Sequence, residues 1–331
     1  MSFDTLDYSA QVDQLTTLAS AALRSYGLGN ASQELVSYTN NAIYRVAFDD
    51  TDYALRVHRP GLKRRPWIHS ERAWMSALWD NANLRVPQPK QVIFDGELPS
   101  YDGAVYVDLL RWLPGKTTSL GSLTTEQIQA IGNFAAKLHD FQFEAPEDFL
   151  RPQLDWEGMF GERSPYNPGE GEKHFTDSQR EVIHNVSEQV RQTMDELGTD
   201  NDEFGLIHGD LLPKNLIFAE NNSPKTLGVL DFNDCAYGYY IYDLAGMLWV
   251  ARDSERYTEI RDALWKGYCE IRPMDDDHIA YLDTFVAARH VASCRWIAGN
   301  TSNPTIRGRA AQIIAERVDE IRVYLKTGKL R

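Results

Sequence analysis

The chain is poor in cysteine and positive charge, and it has no long apolar run. Its three cysteines, Cys235, Cys269 and Cys294, are odd in number and share no metal-ligand spacing. This excludes a disulfide framework and a zinc module, and predicts reduced, partly buried thiols. Lys and Arg total 34 against 48 Asp and Glu, a formal charge of −14 that opposes binding to a nucleic-acid backbone or an anionic membrane. The most apolar stretch, Ile241 to Val250, is short and carries Asp243, so no membrane span is expected. Residues 1–20 lack the basic and apolar regions of a signal peptide, and the expected location is cytoplasmic. What remains is an ordinary soluble composition, 43% hydrophobic and 25% charged, over 331 residues, enough for one large domain or two lobes. Internal repeats and low-complexity tails are absent.

The apolar pattern changes period along the chain. Val12, Leu15, Leu18, Ala22 and Tyr26 stand near helical spacing until Gly27 and Gly29 break it. Strand-like runs follow at Glu34–Tyr38, Ala42–Phe48 and Tyr53–His58, with Asp49 to Asp52 as the turn between the last two. In the third, Tyr53, Leu55 and Val57 face one way and Ala54, Arg56 and His58 the other. A helix from about Trp67 to Asp80 presents Ile68, Trp74, Met75 and Leu78 on one face. Glu71 shares that stripe, and an acid in an apolar stripe needs a partner. Strands at Lys90–Phe94 and Ala104–Leu110 complete a five-stranded antiparallel sheet.

Beyond Leu110 helical spacing dominates, at Thr124–Asp140, Ser178–Leu197, Ile241–Arg252, Arg256–Ile271, Ile279–Ala298 and Thr305–Tyr324, with a loop at Pro165–Glu172. His139, at the edge of the first of these, fits packing and hydrogen bonding better than catalysis. The class is α+β, with an N-terminal lobe over 1–110 and a mostly helical lobe over 111–331.

Two short runs carry the chemistry. Leu206-Ile207-His208-Gly209-Asp210-Leu211-Leu212-Pro213-Lys214-Asn215 has the H-x-D-x-x-x-x-N spacing of a kinase catalytic loop. There Asp210 orients and deprotonates an attacking hydroxyl, and the Asn215 oxygen holds Mg²⁺. Val229-Leu230-Asp231-Phe232-Asn233-Asp234 ends an apolar, strand-like segment, Leu227 to Phe232, on a second carboxylate. Asp231 thus stands where a metal bridging the phosphates of ATP would sit. Taken alone, an H-x-D is common, and its Asp is usually a cap or turn residue. The full spacing with the second carboxylate is more specific.

On these residues, with Tyr242-Asp243-Leu244-Ala245, the chain resembles the aminoglycoside phosphotransferase and choline kinase-like family. The resemblance is sharp at 204–246 and weaker from about residue 33 to the end. It implies a bilobal protein-kinase-like fold and an ATP- and Mg²⁺-dependent transfer to a small-molecule hydroxyl, with GTP and the oligomeric state left open. Arg56 takes the place of the family's phosphate-gripping Lys, and Glu71 is its expected partner, a pair in which a guanidinium can grip a carboxylate with two hydrogen bonds. The phosphate-covering loop falls at Thr39-Asn40-Asn41-Ala42. It has no glycine, so Asn40 and Asn41 would donate to phosphate, and an ordinary hairpin turn explains the same residues. Asp108–Leu113 reads as the hinge, with backbone groups at Leu109 and Leu110 against the adenine edge. His208 is expected to support the loop, and Asp243 to hold loop backbone or His208 from beneath. Asp234 is either a further ligand or solvated.

Two rivals stand beside this reading. A Ser/Thr protein kinase would carry Lys where Leu212 stands, Arg where Gly209 stands and an activation segment closed by A-P-E. A catalytically silent nucleotide-binding scaffold is suggested by Arg56 and the glycine-free loop, but has no need of Asp210, Asn215 and Asp231 together. Between Phe141 and Glu203 the chain holds 16 acidic against 5 basic residues, −11 of the total −14. That stretch is either a solvated helix face or a wall attracting a cationic acceptor: an amino sugar, an amino alcohol or a hydroxy amino acid.

Overall fold

The computed structural model describes residues 2–303 and 305–330, with the backbone alone at 276. Asp7 caps the first helix, α1 (Tyr8–Ser25), accepting from the Ala10 N–H at 2.8 Å. Strands β1 (Ser32–Tyr38), β2 (Asn41–Phe48) and β3 (Thr51–His58) follow, then helix α2 (Arg65–Asn81) and strands β4 (Phe94–Leu98) and β5 (Tyr101–Arg111). The strands form one antiparallel sheet in the order β1-β2-β3-β5-β4. Phe48 pairs directly with Thr51, so the expected four-residue turn closes over Asp49 and Asp50 alone, with Asp49 at φ 50°, which a short polar side chain tolerates. The strand expected from Lys90 begins only at Phe94. Proline at 87 and 89 denies the ladder its N–H donors, and residues 88–90 reach β5 through a single bridge, Pro89 to Leu110.

Alternation on β3 divides the lobe. Leu55 and Val57 pack with Val105, Val107 and Leu109 against Leu15, Leu18 and Ala22 of α1, while Arg56 faces α2. Helix α2 in turn lends Trp74, Met75 and Leu78 to the second, larger cluster of buried side chains, where Trp74 meets Phe232 edge to face.

Around that cluster lie the exposed β6 (Lys116–Thr117) and the elements that build it, α3 (Thr125–Asp140), β7 (Gln153–Leu154), α4 (Trp156–Phe160), α5 (Asp177–Leu197), β8 (Phe204–Ile207), β9 (Leu216–Phe218), β10 (Gly228–Val229), β11 (Ala236–Tyr239), α6 (Tyr240–Ala251), α7 (Tyr257–Cys269), α8 (Leu282–Gly299) and α9 (Ala310–Thr327). The expected 165–172 loop contains the start of a 3-10 segment, Gly169–His174. Another 3-10 segment, Asp276–Tyr281, leads into α8, and α9 begins at Ala310 rather than Thr305. Cys235 and Cys294 are buried free thiols. Among the described residues no helix is long and apolar enough to cross a membrane. The fold is α+β: a five-stranded antiparallel sheet with helices, joined to a mostly helical lobe.

Candidate active site

The catalytic-loop run lies between β8 and β9 and is tied down from three sides. Asp243 of α6 accepts the backbone N–H groups of His208 and Gly209, both at 2.7 Å, and His139 Nε2 approaches the same carboxylate at 3.1 Å. Burial alone would raise the pKa of Asp243, but His139, His208 and the backbone donors bring it below the usual range. His208 Nδ1 accepts the Asp210 N–H at 3.2 Å, which makes Nε2 the protonated nitrogen that donates to Leu230 O at 2.9 Å. Gly209 sits at φ +77°, where a Cβ would come within 2.3 Å of Asp234 O; only glycine fits.

The β9–β10 hairpin joins the two runs. Val229 pairs with Leu216, and the Leu230 N–H donates to Asn215 O at 2.8 Å, so Asn215 and Asp231 become neighbours. Asn215 Nδ2 donates to the carbonyl oxygen of Asp210 at 2.8 Å and to its Oδ2 at 2.9 Å, leaving the amide oxygen for a cation. The expected strand through Phe232 stops at Val229. Asp231 adopts a left-handed conformation (φ 62°, ψ 65°), and its carboxylate opens onto the cleft. Enclosure there, then the neighbouring Asp234 and Asp210, raise its pKa. Asp234 behaves oppositely. Burial pushes it up, but Lys63 at 2.8 Å, with Arg151 and Lys214, brings it down to about 2. Among the described residues no three Asp, Glu, His or Cys form a ready-made metal cluster.

These groups line a cavity of about 870 Å³ between the sheet and the helical lobe. Arg56 reaches it from β3 although only 3% exposed. Its Nη1 donates to Glu71 at 2.7 Å, the expected partner, but the two-bond grip goes elsewhere: Nε and Nη2 donate to Asp108 at 3.0 and 2.9 Å. The cause is register. Asp108 on β5 lies directly opposite Arg56 on β3, so its carboxylate meets the flat edge of the guanidinium. Burial would lower the pKa of Arg56, but the two carboxylates raise it well above its ordinary value. Three of the five guanidinium N–H groups are thereby engaged, leaving one on each Nη.

Asn40 and Asn41 both line the cavity. Asn303 donates to Asn40 Oδ1 at 3.0 Å, which ties the β1–β2 turn to the helical lobe. At the expected hinge, Leu110 lines the cavity, but Leu109 turns its side chain into the small core and its carbonyl accepts the Lys90 N–H at 2.8 Å. Arg111, Trp112 and Leu113 form the rest of that wall.

The far end was not legible as a motif. Arg289 of α8 donates to Gly209 O at 2.8 Å and through Nη2 to Asp210 Oδ1, while Lys214 stands 3.1 Å from Asp210 Oδ2. The Arg289 guanidinium lies 5.6 Å from the rings of both Tyr242 and Trp249. Arg317 of α9, which donates to Ser293 Oγ, lies 5.4 Å from the Trp249 ring. Of the stretch 141–203 only Tyr166 lines the cavity; its acids lie outside, most of them exposed. The acidic-wall reading is therefore corrected: that charge lies outside the cavity, on loops, short helical segments and α5, whose apolar face turns inward. The acids that do reach the cavity are Asp210, Asp231 and Asp234.

The chain has known relatives in sequence and in fold. The chain is similar to a solved microcompartment-associated aminopropanol kinase, with 26% identity, a TM-score of 0.82, and 96% of this chain and 99% of that one covered. An uncharacterized protein of Deinococcus radiodurans is 26% identical, with 91% of this chain and 84% of that protein covered. The hydroxylysine kinase of Xenopus laevis is 24% identical over 67% of this chain, and the match spans 59% of that relative's length. A model of the phosphotransferase enzyme family matches residues 33–280, three quarters of the chain, including His208, Asp210, Lys214, Asn215, Asp231 and Asp243 but not Arg289, and the chain belongs to that family of small-molecule kinases.

Proposed function

We propose that the protein moves the γ-phosphoryl group of ATP to a hydroxyl of a small amine-bearing molecule, with Mg²⁺ as cofactor. The observation that carries this is the convergence of Arg56, Asp210, Asn215 and Asp231 on one cavity, the first three with side chains fixed by protein contacts and Asp231 open to the cleft. Asp210 takes the proton from the acceptor hydroxyl, with one carboxylate oxygen held by Asn215 and Lys214 and the other by Arg289. Arg56 offers its two uncommitted N–H groups to phosphate. Asn215 Oδ1 and the Asp231 carboxylate would hold Mg²⁺, which when bound neutralises charge on the phosphates. The ion commonly takes only one or two carboxylates and fills its shell from substrate phosphates and water, so a dense protein cluster is not required. The raised pKa of Asp231 fits a carboxylate that lacks a compensating cation until one binds.

The amine assignment draws on the cavity's carboxylates and on the rings of Tyr166, Tyr242, Trp249 and Trp296, a surface suited to ammonium groups. Relatives named for aminopropanol and hydroxylysine support it. Only a short 3-10 turn and β11 separate Asp231 from α6, with no segment built to dock a polypeptide, which disfavours a protein acceptor.

The test is a coupled nucleotide-turnover assay across hydroxylated amines, amino acids and neutral sugars, with and without Mg²⁺. The proposal expects Mg²⁺-dependent turnover stimulated by one or more amines. Stimulation by neutral sugars alone, or by no acceptor, would overturn it.

A further inference from the structure

Asp210, Asp231 and Asp234 line the cavity together with Arg56, Lys214 and Arg289, and Arg317 lines it from α9. Arg289 is neutralised by its pair with Asp210. Arg317 has no carboxylate within ion-pair distance among the described residues: Glu320, one turn further along α9, is taken by Arg252 at 2.7 Å. The contacts of the Arg317 guanidinium are the Ser293 hydroxyl and the Trp249 ring. Burial lowers its pKa, with Arg252 adding repulsion and Glu320 and Cys294 only partly offsetting it. A half-buried guanidinium held against an aromatic ring, facing a cavity and lacking an anion, is a carboxylate receptor.

We infer that the acceptor carries a carboxylate as well as its amine and hydroxyl, a hydroxy amino acid, and that Arg317 with Ser293 binds that carboxylate. This rests on the amine-kinase reading above and narrows it. Arg289, which touches Asp210, and Arg317 both lie within 5.6 Å of the Trp249 ring, so the base and the proposed anion site border the same indole. Ser293 and Arg317 project from neighbouring helices α8 and α9, so the site is held by packed secondary structure rather than by a loop.

Pairs of acceptors that differ only in the carboxylate test the inference: serine and ethanolamine, threonine and 1-amino-2-propanol, homoserine and 3-amino-1-propanol, hydroxylysine and 1,5-diaminopentan-2-ol. In the best pair the carboxylated member should have the higher kcat/KM. Arg317→Gln should shrink the ratio within that pair roughly ten- to a hundredfold, mostly through KM, as expected for one charge-assisted contact. Arg317→Lys, which keeps the charge, should retain part of the ratio, and a thermal melt of each variant separates folding loss from recognition. Better turnover of the carboxylate-free member in every pair overturns the inference while sparing the amine-kinase reading. So does an equal fall of both members in Arg317→Gln, the mark of a merely structural arginine. Neutral sugars as the only acceptors would overturn both.

Discussion

Replacing Asp108 by Asn tests the buried ion cluster most directly, because the substitution keeps the side-chain shape and removes the charge. In the native protein Asp108 receives Arg56 Nε and Nη2 at 3.0 and 2.9 Å and Arg72 Nη1 at 3.3 Å, and His58 Nε2 lies 3.5 Å away. The side chains of Arg56 and Asp108 are 4% and 0% exposed, so water cannot screen or replace these bonds. Removing one partner of such a pair leaves an uncompensated buried charge, a loss of about 3–5 kcal/mol of folding stability. Glu71→Gln removes a single charged bond to Arg56, worth about 1.5–3 kcal/mol.

In double-mutant cycles with Arg56→Met, measured by urea unfolding, the coupling of Arg56 to Asp108 should therefore exceed its coupling to Glu71. Both couplings should persist in 1 M salt, since buried pairs are little screened. Nucleotide affinity should fall in Asp108→Asn as Arg56 loses its orientation. Additive effects, or a larger coupling to Glu71, would refute the claim that Asp108 is the principal brace.

Asp210→Asn should lower kcat by about 10²–10⁴-fold while nucleotide affinity, measured by titration calorimetry, stays near wild type; an equal loss of both would make Asp210 structural. Asp231→Asn should instead weaken nucleotide binding only when Mg²⁺ is present, and an unchanged Mg²⁺ dependence would remove it from the metal site. His290 accepts the Trp249 indole N–H at 2.8 Å and its pKa is lowered from 6.5 to about 3, mainly by burial. It is neutral when folded and protonated when unfolded over that window, so its contribution is complete above pH 6.5 and declines as pH falls toward 3, by up to about 1.4 kcal/mol per pH unit. Urea unfolding at pH 7 and 5.5 should show a shallower loss for His290→Gln than for wild type, and equal slopes would refute it. Glu181→Gln with Asp195→Asn, exposed positions on α5, should leave kcat/KM and its salt response unchanged; a marked change in salt response would restore a steering role to the acidic surface.

Local chemistry made much of this protein legible before any coordinates. The H-x-D-x-x-x-x-N spacing and an apolar segment ending on Asp231 pointed to Asp210, Asn215 and Asp231 as one constellation, and the structure brings all three to one cavity. The resemblance paired Arg56 with Glu71, and the structure joins them, Glu71 lying on the apolar stripe of α2 that faces β3. Asp243 beneath the loop followed from the same kind of reasoning.

What stayed hidden depends on contacts between residues far apart in sequence. Asp108 became the main partner of Arg56 through a strand register across 52 residues, and register is set by the whole sheet. Prolines at 87 and 89 left 88–90 on a single bridge to β5, where the Lys90 N–H occupies the Leu109 carbonyl, while alternation along β5 turned the Leu109 side chain into the small core. Arg289 and Arg317 stand on helices α8 and α9, whose arginines look alike in sequence; only packing decided which guanidiniums meet the base and the open end of the cavity. The −11 balance of 141–203 was real, but charge composition has no direction, and its acids lie on loops, short helical segments and the outer face of α5, away from the cavity.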